Sequence, residues 1–564
     1  MNDRLYRSLA DSFRLEFYLP GSGLINPPAA TYAADANLAA AMASAEPPQA
    51  VLMNVAGDLS VLAPDGKPVG ALIECLRMIR NKAYPILRFE TAETGEAIAA
   101  LCDGNCLGDV TLCVPYEQRA LLPAVRALLP LSRGMLDVRG MELPSDVLHL
   151  SGECHAHDAT ILMVGCAPSR SDIRRLQKRF VQVWCDADPV EATRSGACGV
   201  VTQAPAQLYA LYRRFPERTT ARPTPLYAHK GLHSTGEFPE NSIKATVGAG
   251  KNGYDAAEID IKLTADDVAI VHHDNNTANL FDGDRIVCES TFEQLSALRR
   301  KGFAQDGLDR FDDLMVAMAE YPETPVLIEI KTPAATFGAE EMIFQMAGIL
   351  ARPDVQKNCT CIMGVMPPYL SYVHRRLPYL PVAHCTGAPE PAPETADAAN
   401  LLLYKFAQET KGANAGWNPF HPAINALFGR IAHLRGVTLF PWTWAFKPWE
   451  DERDAISAAF AAGYDGLTSD WVNKFADYPV DILCDLPART CAGRNIVPAV
   501  QVLLRSGETM PVQAKILPLA GDVACSDDGF TGHGAVQLAF VYCGTLPDGK
   551  PLNLCSRAYS VVFE

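Results

Sequence analysis

Short runs of β-branched and apolar residues alternate with amphipathic helical stretches from about Gln49 to Ser469. Runs such as AVLMNVA, YPILRFE and DVTLCVP lie in the first half, and PLYAHKG, AAEIDIKLT and PVLIEIKT lie in the second. Strand–helix alternation at this density predicts parallel sheets covered by helices. After about Val480 the segments are strand-like and separated by turn residues, which predicts a small all-β sandwich-like domain.

The alternating region is long enough for two (β/α) barrels of about 250 residues each. PILRFET, VQVWCDAD and ACGVVT follow one another in the first half much as PVLIEIKT, LFPWTWA and YDGLTS do in the second. This similarity indicates a duplicated barrel. We therefore predict an α/β fold of two tandem TIM-like (β/α) barrels followed by the all-β domain. The predicted domains are residues 1–222, 223–478 and 479–564.

The formal net charge of -16 argues against a nucleic-acid-binding protein, because phosphate backbones require clustered Lys and Arg. The apolar runs are interrupted well before the roughly 20 residues that a transmembrane span needs. The first 20 residues lack the apolar core of a secretory signal. We therefore expect a cytoplasmic protein whose 17 cysteines are reduced and mostly buried.

Acidic side chains lie on two predicted strands of the second half. Because side chains alternate along a strand, Glu258 and Asp260 share one face, and Glu329 and Lys331 share one face. Carboxylates facing the inside of a barrel are costly unless a cation neutralises them. The pattern therefore predicts one divalent cation, Mg²⁺ or Ca²⁺, on Glu258, Asp260 and Glu329, with Glu240 as a further candidate.

Two histidines at predicted strand ends, His229 and His273, fit the requirements of phosphodiester cleavage. One would remove a proton from the attacking hydroxyl, and the other would protonate the leaving alkoxide. Lys230 and Lys331 would hold the phosphate oxygens together with the cation.

These motifs occur in an order that resembles the glycerophosphodiester phosphodiesterase family, over about residues 226–470. The matching pieces are His229-Lys230-Gly231, Pro239-Glu240-Asn241-Ser242, Glu258-Ile259-Asp260, His273-Asp274, Glu329-Ile330-Lys331, Trp442-Thr443, Asp465-Gly466 and Ser469-Asp470. The resemblance implies a TIM barrel with the metal on Glu258, Asp260 and Glu329, and with His229 and His273 as the acid–base pair. It also implies hydrolysis of a glycerophosphodiester to glycerol 3-phosphate and an alcohol through a cyclic phosphate.

For substrate binding we expect contributions from Lys230, Glu240, Asn241, Lys331 and Trp442. Lys230 stands where the family usually has Arg, so the phosphate contact there differs in shape. His272 precedes His273, which leaves a shifted assignment open, although the adjacent Asp274 favours His273. The expected partner is a small-molecule phosphodiester; homo-oligomerisation through the N-terminal barrel or the C-terminal β domain remains an alternative to a monomer.

Two other functions remain open at this point. One is a phospholipase or lyase of the same barrel lineage that releases a cyclic phosphate. The other is a non-catalytic binding or scaffold protein with a vestigial site.

The first half lacks the same chemistry when the two halves are aligned by sequence. Matching LAPDG to LTADD, and YPILRF to TPVLIE, sets Gly57 against Glu258, Leu59 against Asp260, Phe89 against Glu329, and Ala71, Leu72 and Ile73 against the HHD turn. We therefore predict a degenerate, non-catalytic barrel that packs against or covers the second. Arg88, Glu90 and Asp137 leave a binding role open there.

Overall fold

The computed structural model describes residues 4–564 except 17, 145–146, 332–343, 345–346, 365–366, 388–390, 412 and 527–528. The chain forms two closed parallel barrels followed by an all-β region. This architecture confirms the fold that the strand–helix alternation predicts.

The first barrel contains eight parallel strands and closes because its first strand pairs with both the second and the last. An antiparallel hairpin, β3 and β4, extends from the second strand. The strands are β1 (Ala29–Ala33), β2 (Ala50–Val55), β3 (Ser60–Leu62), β4 (Pro68–Ala71), β5 (Tyr84–Arg88), β6 (Thr111–Pro115), β7 (Arg133–Asp137), β8 (Ile161–Val164), β9 (Gln182–Cys185) and β10 (Gly199–Val201). The helices of this part are Leu9–Ser12, Leu38–Ala43, Leu72–Ile79, Ala92–Gly104, Leu121–Leu128, Leu148–Ala156, Arg170–Gln177, Pro189–Ser195 and Pro205–Arg213.

The second barrel is built in the same way. Its strands are β12 (Leu226–Ala228), β13 (Ala256–Leu263), β14 (Ala269–Val271), β15 (Val326–Ile330), β16 (Cys359–Gly364), β17 (Val382–Thr386), β18 (Ala415–Pro419) and β19 (Leu467–Ser469). β14 returns antiparallel to β13. Single bridges from Leu439, Trp442 and Trp444 fill the seventh position between β18 and β19 and close the ring.

Helices surround the second barrel in the order expected for alternating strands and helices. They are Ile243–Lys251, Phe292–Ser296, Phe311–Met318, Pro353–Asn358, Pro367–Arg376, Ala396–Thr410, Ala426–Leu434 and Trp449–Ala461. Within the described part of the chain, none of the helices is both long and apolar enough to cross a membrane.

The C-terminal region contains two sheets that share one apolar core, which includes Val502, Leu538 and Val561. Its strands are β20 (Asp481–Asp485), β21 (Arg489–Thr490), β22 (Ala499–Leu503), β23 (Thr509–Pro511), β24 (Lys515–Ser526), β25 (Gly529–Thr545), β26 (Pro551–Cys555) and β27 (Tyr559–Phe563). The short strand β11 (Thr219–Thr220) between the barrels pairs with β26, so the interbarrel segment is part of this region.

The two barrels pack against each other through the ends where their strands begin. Phe180, just before β9, stacks on Phe440 of the second barrel with ring centroids 3.9 Å apart. A Cβ on Gly416, at the start of β18, would lie only 2.2 Å from the Phe180 ring, so glycine permits the contact. Arg435 adds a buried ion pair with Asp109, just before β6. Base-to-base packing leaves the carboxyl ends of both sets of strands on opposite sides of the molecule. The expectation of a packing partner is met, whereas a cover over the second barrel's mouth is not.

Candidate functional site

The acidic group of the second barrel arises from strand alternation at the carboxyl ends of β13 and β15. Ile259 and Ile261 pack into the apolar layer outside the strands, so Glu258 and Asp260 face inward. Asp260 lies directly opposite Glu329 in the parallel ladder. One carboxylate oxygen from each of the three residues lies within 4.8 Å of the others. This is the ligand set that the sequence predicts.

The electrostatics of this group fit a bound cation. Burial, reinforced by the charges of Asp260 and Glu329, raises the pKa of Glu258 well above its usual range. Burial also raises the pKa of Glu329, although Lys331 opposes that shift. The Oε1 atom of Glu258 is buried and has no hydrogen-bond partner among the described residues. An all-oxygen donor set with an unpartnered buried oxygen suits Mg²⁺ or Ca²⁺.

The loop before helix Ile243–Lys251 holds the carboxylates in place. Asn241 donates its amide to Asp260 at 2.8 Å and accepts the Asp260 backbone N–H at 3.0 Å. The backbone N–H of Lys230 donates to Glu258 at 2.9 Å. The Glu240 carboxylate accepts a hydrogen bond from the Lys230 ammonium at 3.0 Å, and Glu240 is not among the residues of the acidic group.

The backbone conformation and close packing at Gly231 account for the glycine of the His-Lys-Gly motif. Its φ of +78° lies in the left-handed region, and a Cβ there would lie 2.7 Å from the Cβ of Ala245. The turn after β12 can therefore approach the helix closely enough to bring Lys230 and Asn241 together, with a backbone hydrogen bond of 2.9 Å between them.

His229 is held by Asp470, which follows β19. Its Nδ1 lies 2.7 Å from Asp470 Oδ1, and His233 Nε2 lies 3.0 Å from the same oxygen. Burial would raise the pKa of Asp470, but the hydrogen bonds from both histidines outweigh it and lower the pKa. An ionised Asp470 keeps the proton on His229 Nδ1 and leaves Nε2 to exchange protons with a bound molecule.

The two adjacent histidines have different environments. His272 is fully buried, its Nε2 pairs with the Asn276 carbonyl at 2.9 Å, and burial lowers its pKa. His273 is about 40% exposed and pairs through Nδ1 with Asp274 at 2.7 Å. Burial would raise the pKa of Asp260, but the attraction of Lys331 and His273, among other contacts, outweighs it and lowers the pKa. His273 is therefore the better candidate for proton transfer.

Lys331 and Trp442 complete the expected set. The Lys331 ammonium pairs with Glu329 and lies 3.4 Å from Asp260 Oδ1. Burial would lower the pKa of Lys331, but the carboxylates outweigh it and raise the pKa. Trp442 is partly buried against the barrel interior and donates its indole N–H to the Asn418 carbonyl at 3.0 Å.

The first barrel has a different set of side chains at equivalent positions. In the first barrel, Asn54 of β2 is paired with Arg88 on β5 and with Leu62 on β3. In the second barrel, Asp260 of β13 is paired with Glu329 on β15, and its carbonyl accepts a hydrogen bond from the backbone N–H of His272. Asn54 and Asp260 therefore occupy equivalent positions. Counting along the ladders from that match places Ala33, Leu52, Asn54, Ala63 and Arg88 where the second barrel has His229, Glu258, Asp260, His273 and Glu329.

The sequence alignment of the two halves is therefore wrong in register. Gly57 and Leu59 lie in the turn between β2 and β3, and Ala71–Ile73 lie where β4 ends and a helix begins. Phe89 packs into the outer apolar layer, whereas Glu329 faces inward. The corrected register still puts no carboxylate or histidine at these positions of the first barrel.

Three residues of the site were not predicted as site residues. Asp470 belongs to the Ser-Asp motif at the end of β19, so the motif was a signal that could have identified it. His233 lies in a loop with no motif of its own. Arg300 donates to the carbonyls of Glu240 and Asn241 at 2.7 and 2.6 Å, from a distant segment that sequence spacing cannot connect to the loop.

Comparison with known proteins agrees with this geometry. Residues 229–474 match the model of the glycerophosphoryl diester phosphodiesterase family. The chain is 29% identical over 191 residues to human lysophospholipase D GDPD3, a match that covers 28% of this chain and 57% of that protein. It is 25% identical over 256 residues to the glycerophosphodiester phosphodiesterase of Caldanaerobacter subterraneus subsp. tengcongensis, covering 44% of this chain and 94% of that protein.

Among solved structures, a glycerophosphodiester phosphodiesterase from Parabacteroides distasonis is 18% identical, with a TM-score of 0.36, over 44% of this chain and 92% of that one. The chain spans just over half the length of its human relative and about a fifth of rat glycerophosphodiester phosphodiesterase 1, to which it is 39% identical over 71 residues. Over residues 229–474 the chain is therefore similar to the glycerophosphoryl diester phosphodiesterase family.

Proposed function

We propose that the second barrel hydrolyses a glycerophosphodiester to glycerol 3-phosphate and an alcohol, and that it depends on one Mg²⁺ or Ca²⁺ ion. The observation that carries this proposal is the convergence of Glu258, Asp260 and Glu329, together with a buried Glu258 oxygen that has no partner among the described residues. The mouth of a TIM barrel is also where enzymes of this fold bind their substrates.

Three carboxylates would hold the cation, and the side chains around them would prepare the substrate. When bound, the cation supplies positive charge to the phosphate oxygens where negative charge develops. Lys331 adds a second positive charge beside Asp260. Lys230, in the turn after β12, adds another, and its ammonium is already held by Glu240.

Two histidines would move the protons. One accepts the proton of the substrate glycerol hydroxyl as that oxygen attacks phosphorus, and the other donates a proton to the departing alkoxide. Water then opens the cyclic phosphate with the two roles reversed. Asp470 keeps His229 in the tautomer that presents Nε2, and Asp274 does the same for His273.

Product analysis tests this function directly. Purified full-length protein is incubated with glycerophosphodiesters that differ only in the alcohol, with each metal added back after chelation. Phosphorus NMR should show glycerol 3-phosphate only when Mg²⁺ or Ca²⁺ is present. A lysophospholipid belongs in the panel, because the human relative is a lysophospholipase D.

Each alternative predicts a different result in the same experiment. A cyclic phosphate that accumulates and is not opened would indicate the lyase. No turnover with any metal or substrate, together with identical behaviour of His229→Ala, would indicate a binding or scaffold protein.

A further inference from the structure

The mouth of the first barrel contains a cavity of about 450 Å³. Its position matches that of the acidic group in the second barrel, and its size is within the range of small-molecule sites. The polar residues that line it are Asn54, Arg88, Arg139, Asp186, Thr202 and Gln203.

Two arginines in this cavity are fixed by shared carboxylates. Arg88 donates through Nε to Asp137 at 2.7 Å and through Nη1 to Glu90 at 2.8 Å. Arg139 donates to both oxygens of Asp137 at 2.9 Å and to Asp186 at 2.6 Å. The Nη2 group of Arg88 donates none of the hydrogen bonds found among the described residues. Both guanidinium groups are thus oriented in advance and retain N–H groups for a ligand.

The cavity differs from the second barrel's acidic group in carrying arginines. Arg88 stands at the position of Glu329, and Arg139 also lines the cavity. The two arginines are paired with three carboxylates, those of Asp137, Glu90 and Asp186. Asp137 is largely buried beneath the arginines, and Glu90 is about 62% exposed. A half-buried ion network of this kind is a poor way to stabilise a fold, because desolvation offsets the attraction. Binding of an anionic ligand accounts for this network better than a contribution to fold stability does.

We propose that the mouth of the first barrel binds a small phosphate monoester of glycerol phosphate type without a metal ion. Arg88 and Arg139 donate to the phosphate oxygens, since planar guanidinium groups recognise phosphate in a bidentate manner. Asn54, Thr202 and Gln203 offer amide and hydroxyl groups to the ligand's own hydroxyls. The first barrel is then a binding module that uses fixed arginines where the second barrel uses a cation.

Calorimetric titration of the full-length chain with glycerol 3-phosphate, in excess chelator, tests this proposal. Chelation removes the cation from the second barrel, so the remaining binding reports the metal-independent site. We expect one site per chain, weakened about 10- to 100-fold in Arg88→Gln and in Arg139→Gln. Arg88→Lys should give an intermediate loss, because it keeps the charge but not the planar fork.

Two control variants locate the site. Arg213→Gln removes an exposed arginine of the same barrel, which pairs with Glu46, and should leave the binding unchanged. Glu329→Gln alters the second barrel and should also leave it unchanged. Melting curves identify any variant that fails to fold, and Arg88→Lys then replaces it.

Three results would overturn the proposal. The first is no metal-independent binding by the wild-type chain. The second is binding that Glu329→Gln abolishes and Arg88→Gln does not. The third is equal affinity for glycerol and glycerol 3-phosphate, which would mean that the phosphate is not recognised. None of them depends on turnover, so the proposed function of the second barrel is tested separately.

Discussion

The two barrels of this protein have the same strand order and different side chains at their mouths. At five equivalent positions the second barrel has His229, Glu258, Asp260, His273 and Glu329, and the first has Ala33, Leu52, Asn54, Ala63 and Arg88. The backbone supports both sets, since strand alternation directs those of these side chains that lie on strands inward whatever their type. The comparison teaches that the barrel supplies positions, and that function must be inferred from the side chains at those positions.

The largest expected effect is the loss of a proton-transferring histidine from the second barrel. His229→Ala and His273→Ala should each lower kcat by about 10²- to 10⁴-fold, because general acid–base catalysis contributes that much. The measurement is steady-state hydrolysis of a glycerophosphodiester with Mg²⁺ present. His149→Ala, an exposed histidine of the first barrel, is the matched control and should retain full activity. Normal turnover in His229→Ala would contradict the assignment of catalysis to the side chains that distinguish the second barrel from the first.

The contact between the bases of the barrels gives the second prediction. Phe180→Ala removes a buried ring that stacks on Phe440, so it should destabilise the protein by about 3–5 kcal/mol. Denaturant unfolding measures the loss. Leu128→Ala, at a side chain exposed by about 55%, should cost much less. Equal effects of the two substitutions would mean that the barrels do not depend on each other for stability.

The positioning of His229 gives a smaller effect. Asp470→Asn keeps the size of the side chain but removes the charge that fixes the proton on His229 Nδ1. We expect kcat to fall about 10- to 100-fold, less than in His229→Ala, because the imidazole remains. Little change in KM is expected, since Asp470 is not one of the three carboxylates that would hold the cation. A higher KM with an unchanged kcat would instead assign Asp470 to substrate binding.

The smallest effect concerns pH. Burial and two neighbouring carboxylates raise the pKa of Glu258, so without metal the folded state binds a proton more tightly than the unfolded chain. Stability of the metal-free protein should therefore fall as pH rises from the ordinary glutamate pKa through the raised one.

Melting temperatures against pH, in chelator and in excess Mg²⁺, test the sign of this effect. In chelator, Glu258→Gln should remove the part of the fall in stability with rising pH that comes from Glu258. In excess Mg²⁺, the stability of the wild type should instead rise with pH, because metal binding requires the ionised carboxylate. Identical pH profiles of wild type and Glu258→Gln in chelator would contradict it.

Much of the fold follows from local pattern. The runs AVLMNVA, YPILRFE, DVTLCVP, AAEIDIKLT and PVLIEIKT each contain a barrel strand, because a parallel strand buried on both faces needs a continuous apolar run. The inward position of Glu258 and Asp260 followed from alternation alone, since Ile259 between them requires the opposite face.

Other features could not be obtained in that way. The sequence aligns Gly57 with a metal ligand because LAPDG resembles LTADD, but LAPDG lies in the turn between β3 and β4, whereas LTADD lies in the turn between β13 and β14. The pairing of β11 with β26 involves two residues, too few to produce a pattern. The contact of Phe180 with Gly416 depends on how two complete barrels pack, and an apolar residue in the sequence does not reveal which core it enters.

Cation binding by the full-length chain is the most direct test of the difference between the barrels. Calorimetric titration of metal-free protein with Mg²⁺ and with Ca²⁺ should give one site per chain, and Glu329→Gln should abolish it while the fold is retained. Two sites per chain, or one site that survives Glu329→Gln, would contradict the assignment of the cation to the carboxylates of the second barrel.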